Sequence, residues 1–289
     1  MKKLTNACSL ATLLVIAACG GGGSDNATTG TPVEASGTDP SAYAPDLQSF
    51  AVAWIALNLS LSAADMLHMA GNTGNCGGGG QTAYDLGAVR QAAQACVLKT
   101  SPTNAYTGGF SLTFTNGVNT RASTISSPAL QVTATAAPKA AQFSIDSGVV
   151  SGIDDFSSDT ADVYSAVTFS LQIKPAGAAT PYRIGTNGPG TLTQTFANGT
   201  PALVVSSLDI GVDRNQGAWR LAVRGVASRG DSNPDAGSIT VADQSKPASE
   251  QLTVSFGAGN NIVFSAGGRS VGKLWGDADV RAALAAART

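Results

Sequence analysis

Residues 208–223 read LDIGVDRNQGAWRLAV, and this stretch decides the fold. Apolar residues alternate with polar or small ones on both sides of a turn-rich run: Leu208, Ile210 and Val212 before it, Trp219, Leu221 and Val223 after it. If residues 214–217 form the loop and Asp213 faces Ala218, three apolar pairs meet on one face: Val212 with Trp219, Ile210 with Leu221, and Leu208 with Val223. A slip by one residue would destroy all three pairs. The stretch therefore predicts a β-hairpin in this register, with a bulge or turn upstream at Ser206 and Ser207.

The same period of two recurs through most of the chain. It is clearest in residues 110–115, 130–135, 167–174 and 252–256, which turn residues separate. We therefore predict a mainly β fold of about ten strands: an antiparallel β-sandwich, an open barrel or a long meander. Residues 46–70 have helical spacing, which predicts an N-terminal amphipathic helix that caps one end of the β core, and residues from Asp277 predict a short C-terminal helix. Because the outward strand positions carry no lipid-facing apolar girdle, a transmembrane barrel is excluded.

Composition excludes several classes of function. The 289 residues carry a formal net charge of −2, and charged residues make up only 12%. Nucleic-acid binding needs clustered Lys and Arg, so we expect no nucleic-acid partner. A single His argues against a multi-His metal site and against most His-based catalysis.

The N-terminus has the features of an export signal. Lys2 and Lys3 precede a short apolar stretch that is too short to span a bilayer. It ends in Ile16-Ala17-Ala18-Cys19, which resembles the lipobox of bacterial lipoproteins. The resemblance implies that residues 1–18 are a signal peptide and that Cys19 becomes the acylated N-terminus, with diacylglyceryl on its thiol and an acyl chain such as palmitate on its amine. Acyl chains in that number anchor a protein stably to a membrane.

We therefore expect residues 19–45 to comprise the acylated Cys and a Gly/Ser/Thr/Pro-rich tether, and residues 46–289 to form a single β-rich domain. In Gram-negative lipoproteins, Asp after the lipidated Cys commonly signals retention in the inner membrane. Gly20 occupies that position here, so the resemblance implies anchoring at the cell outer membrane. The side of that membrane on which the domain lies stays open.

Two cysteines remain after Cys8 leaves with the signal and Cys19 takes the lipid. In an oxidising compartment, Cys76 and Cys96 can form only one intramolecular disulfide bond, with free thiols as the alternative.

Acidic residues gather in one stretch without intervening Lys or Arg: Asp154, Asp155, Asp159 and Asp162. Hard oxygen ligands of this kind can hold Ca²⁺, so these four residues are the candidate metal site and Ca²⁺ the candidate cofactor. The alternative is a solvated loop.

A catalytic Ser has one candidate motif, Gly268-Arg269-Ser270-Val271-Gly272. A hydrolase elbow needs a strand before the Ser, a helix after it and a His later in the chain, but the only His is His68. We therefore interpret the motif as a turn between two strands. The three tryptophans, Trp54, Trp219 and Trp275, could form a sugar-stacking platform, although the phase of Trp219 predicts a place in the core.

The mature chain is similar in architecture to β-rich proteobacterial lipoproteins of unknown function, which combine a tether, an N-terminal helix, a Cys pair and many Thr/Ser-rich strands. The sequence therefore predicts an outer-membrane-anchored lipoprotein that acts as a non-catalytic structural or binding module. Its partners would be the membrane, through the lipid, and an envelope polysaccharide or protein. The alternative is an envelope carbohydrate- or polymer-active enzyme that uses Asp carboxylates such as Asp154, Asp155 or Asp159.

Overall fold

The structure is a computed structural model. It describes residues 43–73, 81–85, 90–101, 104–134, 142–155, 157–158, 160–195, 202–214, 217–229 and 233–289. Two α-helices lie in these ranges, α1 (Ala44–Thr73) and α2 (Ala278–Arg288). The strands are β1 (Gln81–Asp85), β2 (Arg90–Ser101), β3 (Asn104–Asn116), β4 (Thr120–Ala134), β5 (Gln142–Asp155), β6 (Ala161–Pro175), β7 (Tyr182–Thr186), β8 (Gly190–Thr195), β9 (Ala202–Arg214), β10 (Gly217–Arg229), β11 (Ala236–Asp243), β12 (Leu252–Gly257), β13 (Asn261–Ala266) and β14 (Arg269–Leu274).

The strands form one antiparallel sheet of 14 members. Each strand pairs with the next along the chain, except that β7 and β8 share one position and each pairs with both β6 and β9. The predicted mainly β fold with a helix at each end is confirmed, and the topology is that of a long meander. The strand number exceeds ten partly because residues 81–85 and 90–101 form β1 and β2, in a stretch where helical spacing combined with many turn residues leaves the sequence ambiguous.

The predicted hairpin register is confirmed. In the β9–β10 ladder Val212 lies opposite Trp219, and the other two apolar pairs and Asp213 opposite Ala218 also match. The ladder continues one pair beyond the expected loop boundary, to Arg214 opposite Gly217. Trp219 is partly buried and packs against the core, as its phase predicted.

The irregularity expected at Ser206 and Ser207 is also present. Buried positions on β9 change phase between Val205 and Leu208, and the β8–β9 ladder shifts register there. On the neighbouring strand Gly225 has a φ of +59°, and the β10–β11 ladder shifts at the same place. Beyond it Gly237 has a φ of +90°, and a Cβ at Gly237 would overlap the backbone of Gly225. A line of bulges thus bends adjacent strands while their apolar residues stay on one face.

The curved sheet encloses α1. Every residue from 49 to 61 is buried, and the helix contacts β2 to β7 from one half of the sheet and β11 and β12 from the other. Phe50, Trp54, Phe256, Phe264 and Trp275 form an aromatic cluster between the helix and the last strands, with ring centroids of Trp54 and Trp275 4.9 Å apart. The prediction of an amphipathic helix that caps one end of the core was wrong, because residues 49–61 of α1 are buried on all sides instead of on one. A helix that is apolar all round is stable only when other elements cover every side of it.

Helix α2 lies near the end of the chain and packs against α1. It buries Val280, Leu284 and Ala287. Asp279 lies in its first turn and Arg288 in its last, which is the charge order that a helix dipole favours. Among the residues that the structure describes, no helix is long and apolar enough to cross a membrane.

Candidate functional site

The acidic stretch lies at the β5–β6 hairpin. Asp154 is opposite Arg121 on β4 and Tyr164 on β6, and the adjacent Asp155 points to the other face of β5. The exposed Asp155 carboxylate accepts a hydrogen bond from the backbone N–H of Ser157 at 2.9 Å, which lowers its pKa. Consecutive strand positions therefore do not place these two carboxylates face to face.

The candidate Ca²⁺ site stays a prediction. Asp162 lies on β6, opposite Gln194 of β8, whereas Asp159 lies outside the described residues. Over the ranges that the structure describes, no group of three or more His, Cys, Asp or Glu side chains converges as a metal ion requires.

The motif around Ser270 forms a β-hairpin. Gly267 and Gly268 have φ values of +55° and +76°, and Ser265 on β13 lies opposite Ser270 on β14. A two-residue turn with both φ values positive is the connection that tight hairpins favour. The interpretation as a turn is confirmed, and strands on both sides replace the strand and helix of a hydrolase elbow.

The tryptophans do not form an exposed platform. Trp54 and Trp275 are buried in the aromatic cluster, and Trp219 packs against the core. Cys19 and Cys76 lie outside the described residues, and Cys96 lies on β2, opposite Gly108 of β3. The lipid and disulfide predictions therefore stay predictions.

Five residues form a polar corner where the chain enters α1, which we call the β14 corner: Tyr43, Asp46, Arg269, Lys273 and Asp279. The Lys273 ammonium lies 2.8 Å from the Asp279 carboxylate and 4.8 Å from the centre of the Tyr43 ring, and the Tyr43 hydroxyl donates to Asp279 at 3.3 Å. Burial opposes the charge on Lys273, but the hydrogen bonds to Asp279 and Tyr43 outweigh it and raise the Lys273 pKa. Burial also acts against the charge on Asp279, yet the Lys273 hydrogen bond holds the pKa of Asp279 below its usual value.

Beside this ion pair is a small pocket. Arg269 approaches Asp46 to 3.6 Å, and Tyr43, Phe264, Ala266 and Val271 complete the lining. The cavity volume is about 10 Å³, close to the space that one water molecule needs and far below the 300–1,000 Å³ of typical ligand pockets. The corner thus ties the start of α1 to β14 and α2.

A second polar contact holds the end of α2. Arg214 is buried, and its Nη1 donates to the Tyr182 hydroxyl at 2.9 Å and to the Ala287 carbonyl at 2.5 Å. The guanidinium also lies 4.5 Å from the centre of the Tyr182 ring. A cation at a helix C-terminus satisfies carbonyls that have no partner within the helix. Burial raises the pKa of Tyr182 to about 12, and the nearby Arg214 only partly offsets that effect.

Sequence reasoning missed these two contacts, although the strand period contained a signal for each of them. Arg214 is in phase with the inward Val212, and a charged residue at an inward position requires buried partners. Lys273 carries a similar signal, because it lies opposite the inward Ile262.

The side of the sheet away from α1, which we call the outer face, is mainly polar, although Val149, Ile153 and Val263 are exposed on it. A hydroxyl row crosses its last four strands in register, formed by Thr240, Thr253, Ser265 and Ser270. A second hydroxyl row crosses the earlier strands, formed by Thr113, Thr124, Ser151 and Thr168. Neighbouring strands are about 4.8 Å apart, so each row presents regularly spaced hydrogen-bonding groups.

Charges on the outer face lie mainly on its central strands. Arg224 makes two hydrogen bonds with the Asp209 carboxylate, which raise the Arg224 pKa. Arg183 and Arg220 are exposed and flank Gly185 and Gly211, which lie opposite each other on β7 and β9 and carry no side chains. The central outer face therefore carries two exposed cations, with the exposed Asp213 opposite Arg183, beside an open stretch of backbone.

No family model, no curated protein and no solved structure matches this chain.

Proposed function

We propose that the protein is an outer-membrane lipoprotein whose β-rich body acts as a non-catalytic structural or binding module. The observation that carries the proposal is the motif Ile16-Ala17-Ala18-Cys19 behind a basic and apolar leader. Removal of the signal would take Lys2 and Lys3 with it, which changes the formal net charge from −2 to −4.

The position of α1 supports the proposal that the β-rich body is a structural or binding module. This helix fills the concave side of the sheet, where a ligand-binding protein of similar shape would hold its ligand. The outer face is the broad surface left for a partner, and its hydroxyl rows and exposed arginines suit a polar or acidic partner such as an envelope polysaccharide or protein.

Replacement of the lipobox cysteine tests the anchor. Cys19→Ala should abolish lipid labelling and release the protein from the membrane fraction, because no acyl chain can then be attached. Cys8→Ala is the matched control, since it changes a cysteine within the same leader and should leave labelling intact. Retention of Cys19→Ala in membranes after a carbonate wash would mean that the anchor lies elsewhere.

Charge reversal on the outer face tests the module. The double variant Arg183→Glu and Arg220→Glu should lose partners that the unaltered protein retains after cross-linking in its own envelope. Arg281→Glu is the control, because Arg281 is also exposed but lies on α2. Equal recovery with both variants would show that the central outer face is not the binding surface.

A further inference from the structure

The last strand of the sheet leaves one edge open. Among the described strands, β14 pairs only with β13. The Trp275 N–H donates to the Asn260 carbonyl, and antiparallel ladders alternate strictly, so Arg269, Val271 and Lys273 direct their backbone groups toward β13. The backbone groups of Ser270, Gly272 and Leu274 therefore point away from the sheet.

Only one end of this edge is capped. The Leu274 N–H donates to the Asp277 carboxylate at 3.0 Å, whereas Ser270 is exposed and Gly272 has no side chain to cover the edge. Natural proteins usually protect such edges with charges, proline or a covering element, because unpaired N–H and C=O groups bind any extended chain. Here the nearby charges of Arg269 and Lys273 are engaged by Asp46 and Asp279.

The chain itself arrives at this edge. Tyr43 is the first described residue. It lines the small pocket together with Val271, and its ring lies under the Lys273 ammonium. Forty-two residues precede it, and they include one short alternating run, residues 31–36, with Val33 and Ala35 on one side and Glu34 on the other. Residues 37–42 lie between that run and Tyr43 and contain Gly37 and an Asp39-Pro40 pair, which are typical turn residues.

We propose that residues 31–36 add to β14 as a further strand. The run matches the six residues of β14 in length. Inward side chains of an added strand lie beside Val271, so Val33 or Ala35 would contact the apolar rim that Tyr43, Phe264 and Val271 give the small pocket. Pro32 is compatible with an edge strand, since its missing N–H can face solvent.

Two copies of β14 would pair less well. An antiparallel pair centred on Val271 sets Arg269 of one copy opposite Lys273 of the other, and like charges in that position are unfavourable. The covalent connection also gives residues 31–36 a high effective concentration at the edge. This inference goes beyond the proposed function, because docking of residues 31–36 does not require the lipid. In the anchored protein, docking would leave only residues 20–30 as tether and would turn β14 toward the membrane.

Amide hydrogen exchange on the full mature chain tests the proposal. The outward amides of Ser270 and Gly272 should exchange roughly 10- to 100-fold more slowly than unprotected amides. Deletion of residues 31–36 should remove that protection, whereas deletion of residues 24–29, the matched control of equal length, should not. The amides of Val271 and Lys273, which bond to β13, report in every variant that β14 is still folded.

Two results would overturn the proposal. Unprotected Ser270 and Gly272 amides in the full chain would show an open edge. Protection that survives deletion of residues 31–36 would show another occupant, and its increase with protein concentration would identify a second copy. The point variant Val33→Asp, compared with Ala27→Asp, repeats the test without a change of chain length, because a carboxylate at position 33 would lose the apolar contact with Val271 and lie near the Asp46 carboxylate.

Discussion

Truncation of Phe50 tests the enclosure of α1 by the sheet. The ring is fully buried, and its centroid lies 5.2 Å from that of Phe264, 5.7 Å from that of Trp275 and 6.3 Å from that of Trp54. Burial of this kind makes Phe→Ala cost about 3–5 kcal/mol, through lost transfer free energy and the cavity left behind. For a body of this size, the melting temperature should fall by roughly 6–20 °C.

Urea unfolding of Phe50→Ala, followed by tryptophan fluorescence, measures this cost. The midpoint should fall while the slope stays unchanged, which marks a loss of stability without a change in the surface exposed. Val118→Ala is the control, because Val118 is 95% exposed at the β3–β4 turn and its truncation should change the free energy of unfolding by less than about 0.5 kcal/mol. A cost below about 1 kcal/mol for Phe50→Ala would refute the enclosure of α1.

Three further predictions follow from particular contacts. Gly237→Ala should lower the free energy of chemical unfolding by more than about 2 kcal/mol, because Gly237 has a positive φ and an added Cβ would overlap the backbone of Gly225. Gly276→Ala is the control and should be nearly neutral, since there is open space around Gly276. Equal effects of the two substitutions would contradict the bulge geometry. Arg214→Ala should cost about 1.5–3 kcal/mol in the same assay, since it removes charged hydrogen bonds to Tyr182 and to α2, and a neutral result would mean that Arg214 does not hold α2. The pKa of Tyr182 is raised to about 12 in the folded protein, so the unfolded chain binds fewer protons above pH 10 and stability should fall by roughly 3 kcal/mol between pH 10 and 12. Tyr182→Phe should remove that part of the pH dependence, and an unchanged slope would contradict the burial of the phenol.

Strict alternation is the reason the hairpin could be predicted to the residue. Only one register brings Val212, Ile210 and Leu208 opposite apolar partners, and a buried face leaves no freedom to slip. The phase change between Val205 and Leu208 likewise predicted the bulge at Ser206.

The burial of α1 could not be predicted in the same way, because polar residues suggested a solvated side. Asn58 and Ser60 donate instead to the carbonyls of Trp54 and Ala56 one turn earlier, at 2.7 Å each, so these donor groups are satisfied within the helix. Such local bonds let polar side chains lie in a core that the sequence pattern assigns to apolar ones.

The candidate sites were less predictable than the fold. Proximity along the chain grouped Asp154 and Asp155, yet adjacent strand positions point to opposite faces. The β14 corner joins residues that are more than 200 positions apart, such as Tyr43 and Asp279, and no local pattern encodes a contact of that kind.

The intact mass of the protein extracted from its own membranes tests the central claim most directly. We predict a chain that begins at Cys19 and carries the added mass of a diacylglyceryl group and an amide-linked acyl chain. A chain that retains Met1, or one that begins at another residue without added lipid mass, would contradict the account.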